Sequence, residues 1–205
     1  KKKIISGYYQ IVTTIAISCF LIAIFSEEFV IIFTVEAYYF TIKYIPLICF
    51  SIFLIHIFSS VSRMQILHSE RTGIFFKISF FSLILNIALN LFLIPRYGIF
   101  GAITATMISG FIGSLYLFIL AQKTYYLPIK YKRIIQIIIL YTLFNIPIIY
   151  MLKLEINFLN KILLKMIIII IFVYILYLLK FLIKNFINQI KKLILNLLKN
   201  EKKIN

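Results

Sequence analysis

Between residues 79 and 90 four polar side chains recur on one helical face, Ser79, Ser82, Asn86 and Asn90, and every residue between them is Ile, Leu, Phe or Ala. At helical spacing they share one side. Hydroxyls and amides left bare in hydrocarbon go unsatisfied, so this side is expected to meet protein, water or a polar substrate. A neutral amide can hydrogen-bond a polar partner without holding it too tightly for release. The preceding apolar stretch lines up Cys49, His56, Ser59, Ser60 and Arg63. His56 has two readings, a proton relay because imidazole titrates near neutrality, or a hydrogen-bonding contact with a neighbouring helix. Lys77 lies on the opposite side from Asn86 and is expected to snorkel to the near end of its stretch along its four-carbon stem. The candidate cavity-facing residues are therefore Ser82, Asn86 and Asn90, with His56 and Arg63 second.

Other chemistry is scarce. The chain has six acidic residues, none of them Asp, and two histidines, His56 and His68. Cys19 and Cys49 sit thirty positions apart inside apolar runs and read as buried thiols, not as a disulfide frame or a zinc site. No paired carboxylates, metal-ligand set, phosphate-cradling glycine loop or nucleophile elbow is present in the sequence. Neither an enzyme nor a bound cofactor or metal is expected.

The elements that must position these residues follow from composition. Of the 205 residues 63% are hydrophobic, and the mean hydropathy is +1.06. A soluble fold of this size leaves about a third of its chain surface in water, which excludes that class here; the expectation is an all-α, polytopic membrane protein. Bilayer hydrocarbon about 30 Å thick needs runs of roughly 20 apolar residues. Six runs qualify, at residues 8–25, 41–61, 72–94, 102–121, 134–152 and 162–179. Between the first two, residues 26–40 read as a short interfacial helix or turn with Glu27 and Glu28 at its N-terminus. Residues 180–205 space Ile183, Phe186, Ile187, Ile190, Leu193, Ile194, Leu197 and Leu198 against lysines and asparagines, the pattern of a basic amphipathic helix on an anionic leaflet.

The formal charge of +16 does not point to nucleic acid, because no basic face interleaves with aromatics. Instead, alternate gaps separate the charges: sixteen Lys and Arg fall on one side and four (Lys43, Arg96, Lys153, Lys161) on the other, with Lys77 and Lys165 inside runs. The poor side also carries Glu27, Glu28, Glu36 and Glu155. The positive-inside rule then places both termini in the cytoplasm, as an even number of crossings requires. Lys1–Lys3 before an apolar run also resembles a signal peptide, but no small-x-small cleavage site follows Phe25. The opening Lys1 leaves room for a longer chain.

Packing preferences differ among the runs. Ala102, Thr106, Gly110 and Ser114 recur every four residues, with Ala105, Ser109 and Gly113 beside them. Such a stripe lets backbones approach closely in lipid, so the 102–121 run is expected in the interior. The 162–179 run, with continuous isoleucine from Ile167 to Ile171, is expected at the lipid-facing periphery.

One stretch is specific: Asn86-Ile-Ala-Leu-Asn90-Leu-Phe-Leu-Ile-Pro95-Arg-Tyr-Gly98-Ile-Phe-Gly101-Ala-Ile-Thr-Ala. It resembles the lipid-linked oligosaccharide flippases of polysaccharide export, in the multidrug/oligosaccharidyl-lipid/polysaccharide exporter superfamily. Their pattern is an asparagine-bearing helix, Pro-x-x-Gly-x-x-Gly-Ala, then a helix of small residues. Pro95 is expected to end one helix, Gly98 to make the turn and Gly101 to let the next start close by. Ser26-Glu-Glu-Phe is similar to a further family segment, with Ser26 and Phe29 replacing its glycine and tyrosine, and 65–71 to a cytoplasmic turn. The likeness spans about residues 11–121. It implies that residues 1–121 hold the last four helices of the second lobe of a two-lobe exporter and that 134–179 adds two peripheral helices. A missing N-terminal lobe would lie upstream. It further implies a bacterial inner membrane, an undecaprenyl-diphosphate-linked oligosaccharide as substrate, O-antigen or capsule as product, and the polysaccharide polymerase machinery as partner. A peptidoglycan-precursor flippase, a multidrug exporter of the same superfamily and a non-transporting scaffold are the alternatives.

Overall fold

Runs of Ile, Leu and Phe can satisfy their own backbone away from water only by closing it into helix or a sealed barrel, and here helix prevails. The computed structural model describes residues 1–151 and 158–178, all-helical with no strand among them. In chain order the helices are α1 (Lys2–Ile24), α2 (Ser26–Phe33), a 3₁₀ helix (Glu36–Tyr44), α3 (Ile45–His68), α4 (Gly73–Thr124), α5 (Tyr131–Met151) and α6 (Phe158–Leu178). Five of the helical stretches are long and apolar enough to cross a membrane, compatible with a multi-pass membrane protein. The amphipathic reading of 180–205 and the positions of Lys153 and Glu155 lie outside the described residues.

The 52-residue α4 is not a straight rod. Gly98 takes φ 56°, ψ −132°, a conformation closed to residues with a Cβ, and there the helix folds back. Ser82 meets Ser109, and Asn86 meets Thr106 and Ser109, so limbs 73–97 and 99–124 run antiparallel, side by side. Pro95 does not stop the first limb, as its sequence position suggested; the helix continues through it to the reversal at Gly98. A Cβ on Gly101 would collide with the backbone carbonyl of Leu93, so the second limb starts in contact with the first.

Limb 99–124 lies between limb 73–97 and α3. Ala105, Ser109, Gly113 and Ala121 are buried, and Gly110 seats the Ile55 side chain where a Cβ would stand. The outer limb, by contrast, buries only Ile78. The main core is aromatic and joins α1, α3, α5 and α6. Phe20 stacks on Phe172 at 4.1 Å and Phe53 on Tyr141 at 4.3 Å between ring centroids, with Phe144 against both Phe20 and Phe172. Alanines at positions 16 and 23 and Cys19 keep α1 slim enough to nest against its neighbours.

The end of the bundle at which α1 begins is tied by polar contacts. Tyr8 donates to the Ile57 carbonyl (3.0 Å), the Lys130 N–H to Tyr9 Oη (2.9 Å), and Gln65 to the Tyr125 carbonyl (2.7 Å). Lys1 lies over the Tyr125 ring and Arg133 over Tyr9. The 26–40 segment, read as an interfacial helix or turn, is α2 followed by the start of the 3₁₀ helix, with Ile32, Phe33 and Val35 exposed.

The hairpin makes a direct stability prediction. Gly101→Ala should destabilise the protein by about 1–3 kcal/mol, because the methyl must push apart two backbones. Gly73→Ala, with open space around it, should change stability by less than about 0.5 kcal/mol. Thermal unfolding in detergent distinguishes the two; equal effects would mean the limbs are not in contact at Gly101.

Candidate functional site

The sequence-selected amides converge on one seam. Asn86 is its hub: Nδ2 donates to Ser109 Oγ at 3.0 Å and to Thr106 Oγ1 at 3.4 Å, while Oδ1 accepts from Asn90 Nδ2 at 2.9 Å. One turn earlier, Ser82 Oγ donates to the Ser109 carbonyl at 3.1 Å. Ser109 Oγ in turn donates to the Thr106 carbonyl, and Thr106 Oγ1 to that of Ala102. The small residues opposite make this reach possible, since a Cβ on Gly113 would stand 3.0 Å from both Cβ and Oγ of Ser82. Ser79, included in the stripe by helical spacing, is exposed outside the seam.

Ser82 and Asn86 therefore point at limb 99–124. Asn90 is placed differently. Its Oδ1 is buried and has no hydrogen-bond partner among the described residues, and the residue borders an open groove of about 320 Å³ with Ile87, Leu91, Ile94 and Pro95. Of the packing and turn residues, Pro95 and Gly98 stand exposed at the tip, Gly101 is pressed against Leu93, Gly110 meets Ile55, and buried Ser114 donates to the carbonyl of Phe111.

His56 and Arg63 of α3 are not joined to the seam by any hydrogen bond among the described residues. The His56 ring nitrogen Nδ1 lies 2.9 Å from the Ile52 carbonyl of its own helix, and Arg63 is exposed. His56 makes no interhelical hydrogen bond among the described residues. Lys77, expected to snorkel, is exposed. No group of three or more His, Cys, Asp or Glu that could hold a metal occurs among the described residues.

Sequence reasoning missed a second polar cluster. At the end of the bundle where α1 meets α2, Lys161 Nζ lies 2.8 Å and 2.6 Å from the two carboxylate oxygens of Glu27. Lys165 Nζ lies 2.6 Å and 2.7 Å from those of Glu28 and 3.7 Å from Glu27 Oε2. The Lys165 side chain is 1% exposed. Thus α6 is not uniformly lipid-facing: Lys161, Lys165, Phe172 and Leu176 form a buried face on it. The signal lay in two lysines four residues apart at the start of an isoleucine-rich run, matched by the adjacent pair Glu27-Glu28.

No family model matches this chain, and neither a curated protein nor a solved structure does.

If the seam holds the hairpin, Asn86 and Ser109 are energetically coupled. A double-mutant cycle with Asn86→Ala and Ser109→Ala should give a coupling of about 0.6 kcal/mol, up to about 1.7, from thermal unfolding of the four proteins. Additive losses would contradict the bond.

Proposed function

We propose that this chain forms part of a flippase that moves an undecaprenyl-diphosphate-linked oligosaccharide across the bacterial inner membrane for surface polysaccharide synthesis. The observation that carries the reading is the α4 hairpin. Pro95, Gly98 and Gly101 stand in the spacing that resembles the flippase pattern, and each of the two glycines sits where a side chain would be strained or would collide. The amide seam beside it supplies neutral polar groups at membrane depth, suited to hydroxyl-rich cargo.

On this reading each limb of α4 crosses the bilayer separately. A limb of some 25 residues at about 1.5 Å per residue is long enough for a hydrocarbon core of about 30 Å. The chain then crosses six times, with both termini in the cytoplasm. Lys1, Lys130 and Arg133 gather at one end, while at the other Lys161 and Lys165 lie against Glu27 and Glu28, and the excess of positive charge at the first end supports this orientation. Asn90, at the edge of its groove, is the seam member we assign to a sugar hydroxyl, held by Asn86; Ser82 closes the seam below it, and His56 and Arg63 of α3 are the second candidates. The outer apolar side of limb 73–97 would face the first lobe of the transporter, and the polymerase would receive the product.

The test is genetic and chemical. Cells lacking the gene should lose surface polysaccharide and accumulate the undecaprenyl-diphosphate-linked oligosaccharide, and Asn90→Leu in the full-length protein should reproduce part of that loss at normal membrane abundance. Arrest of cell-wall growth instead would identify a peptidoglycan precursor, drug sensitivity alone would identify an exporter of small molecules, and unchanged surface polysaccharide would overturn the proposal.

A further inference from the structure

Two lysines enter the apolar start of α6, and their counter-charges come from neither α6 nor its chain neighbour α5. They come from the first turn of α2, more than 130 residues earlier. Glu28 accepts from Lys165 through both carboxylate oxygens, Glu27 accepts from Lys161 through Oε1 with Oε2 in ion-pair contact, and the Phe25 ring lies 5.9 Å from the Lys165 ammonium. Two positive and two negative charges make a neutral set. The carboxylates stay partly open, with side-chain exposures of 27% for Glu27 and 18% for Glu28, while Lys165 is closed off.

Such a charge cannot be left bare at this depth. An ammonium buried without its partner is strongly unfavourable, and Lys165 is too enclosed to snorkel. The aromatic contact of Phe172 with Phe20 would tolerate sliding and rotation, since apolar side chains pack against lipid almost as well as against protein. The paired lysines do not, because a helix turned by one residue would carry Lys165 away from Glu28.

We propose that Glu27 and Glu28 form a charge-specific docking surface whose partner is α6, fixing which helix packs beside α1, in what register and facing which way. This assignment does not depend on the transport reading. It is an interaction surface within the chain, and it predicts that charge placement, not apolar packing, selects α6.

The experiment is a charge-swap series in the full chain, read as folded, monodisperse protein recovered from membranes after heating. Glu28→Lys or Lys165→Glu alone should lower recovery at least about tenfold, the expectation for a buried charge stripped of its partner. The reciprocal swap of all four residues (Glu27→Lys, Glu28→Lys, Lys161→Glu, Lys165→Glu) keeps net charge and should restore recovery to within about twofold. The apolar double Glu28→Leu/Lys165→Leu should likewise exceed either single leucine variant, since a pair removed together leaves no orphaned charge. Lys123→Glu, at the exposed C-terminal end of α4, serves as the control and should have little effect. Single reversals that leave recovery unchanged, or a fourfold swap and an apolar double no better than their singles, would overturn the docking surface.

Discussion

The apolar interior of this bundle offers a polar group no hydrogen bonds except from backbone or another polar side chain, and the placement of many of its polar groups follows from that constraint. Many Ser and Thr hydroxyls turn back on their own helix. Thr13, Ser62, Thr104, Thr124 and Thr142 each donate to a carbonyl four residues earlier. Such groups need no neighbour and specify nothing about tertiary structure. The groups that cannot be satisfied locally are the ones that organise it: the amide of Asn86, the hydroxyl of Tyr8, the amide of Gln65 and the ammonium of Lys165 all reach another helix or loop.

These crossings are distributed with a purpose that apolar packing alone could not serve. Tyr8 and Gln65 tie down the end where α1 starts, the amide seam closes the α4 hairpin, and the glutamate–lysine set seals the opposite end. Between them the aromatic stack of Phe20, Phe53, Tyr141 and Phe172 supplies contact area. Aromatic rings prefer offset and edge geometries but accept a range of them. The polar ties at each end therefore set register, and the rings fill the space so defined.

Much of this was legible in the sequence. Among the described residues each long helix overlaps an apolar run of the sequence, with α4 taking in two of them, and the spacing of Ser82, Asn86 and Asn90 gave their shared face because helical geometry is fixed. The small-residue stripe at 102–114 foretold close packing of that limb. What a single helix cannot express is its partner. The serine and asparagine face was expected to meet protein, water or a polar substrate, and its spacing did not say that Ser82 and Asn86 would bond to limb 99–124. Lys161 falls in a gap and Lys165 inside a run, with nothing in either position to say that Glu27 and Glu28 would lie beside them. His56 shows the converse: a residue singled out for its chemistry rests against its own helix backbone. Pairing across more than 100 residues is a tertiary property, written in no local spacing.

The central claim is that α4 turns back at Gly98, since the amide seam, the burial of limb 99–124 and the proposed count of crossings all rest on it. The distance between spin labels at Lys77 and Lys123, both exposed, tests it by pulsed electron resonance in lipid nanodiscs. A hairpin with the observed register predicts about 20–30 Å, given helix axes 8–10 Å apart and a modest axial offset. A continuous helix would separate the labels by about 70 Å at 1.5 Å per residue, and a distance in that range would contradict the account.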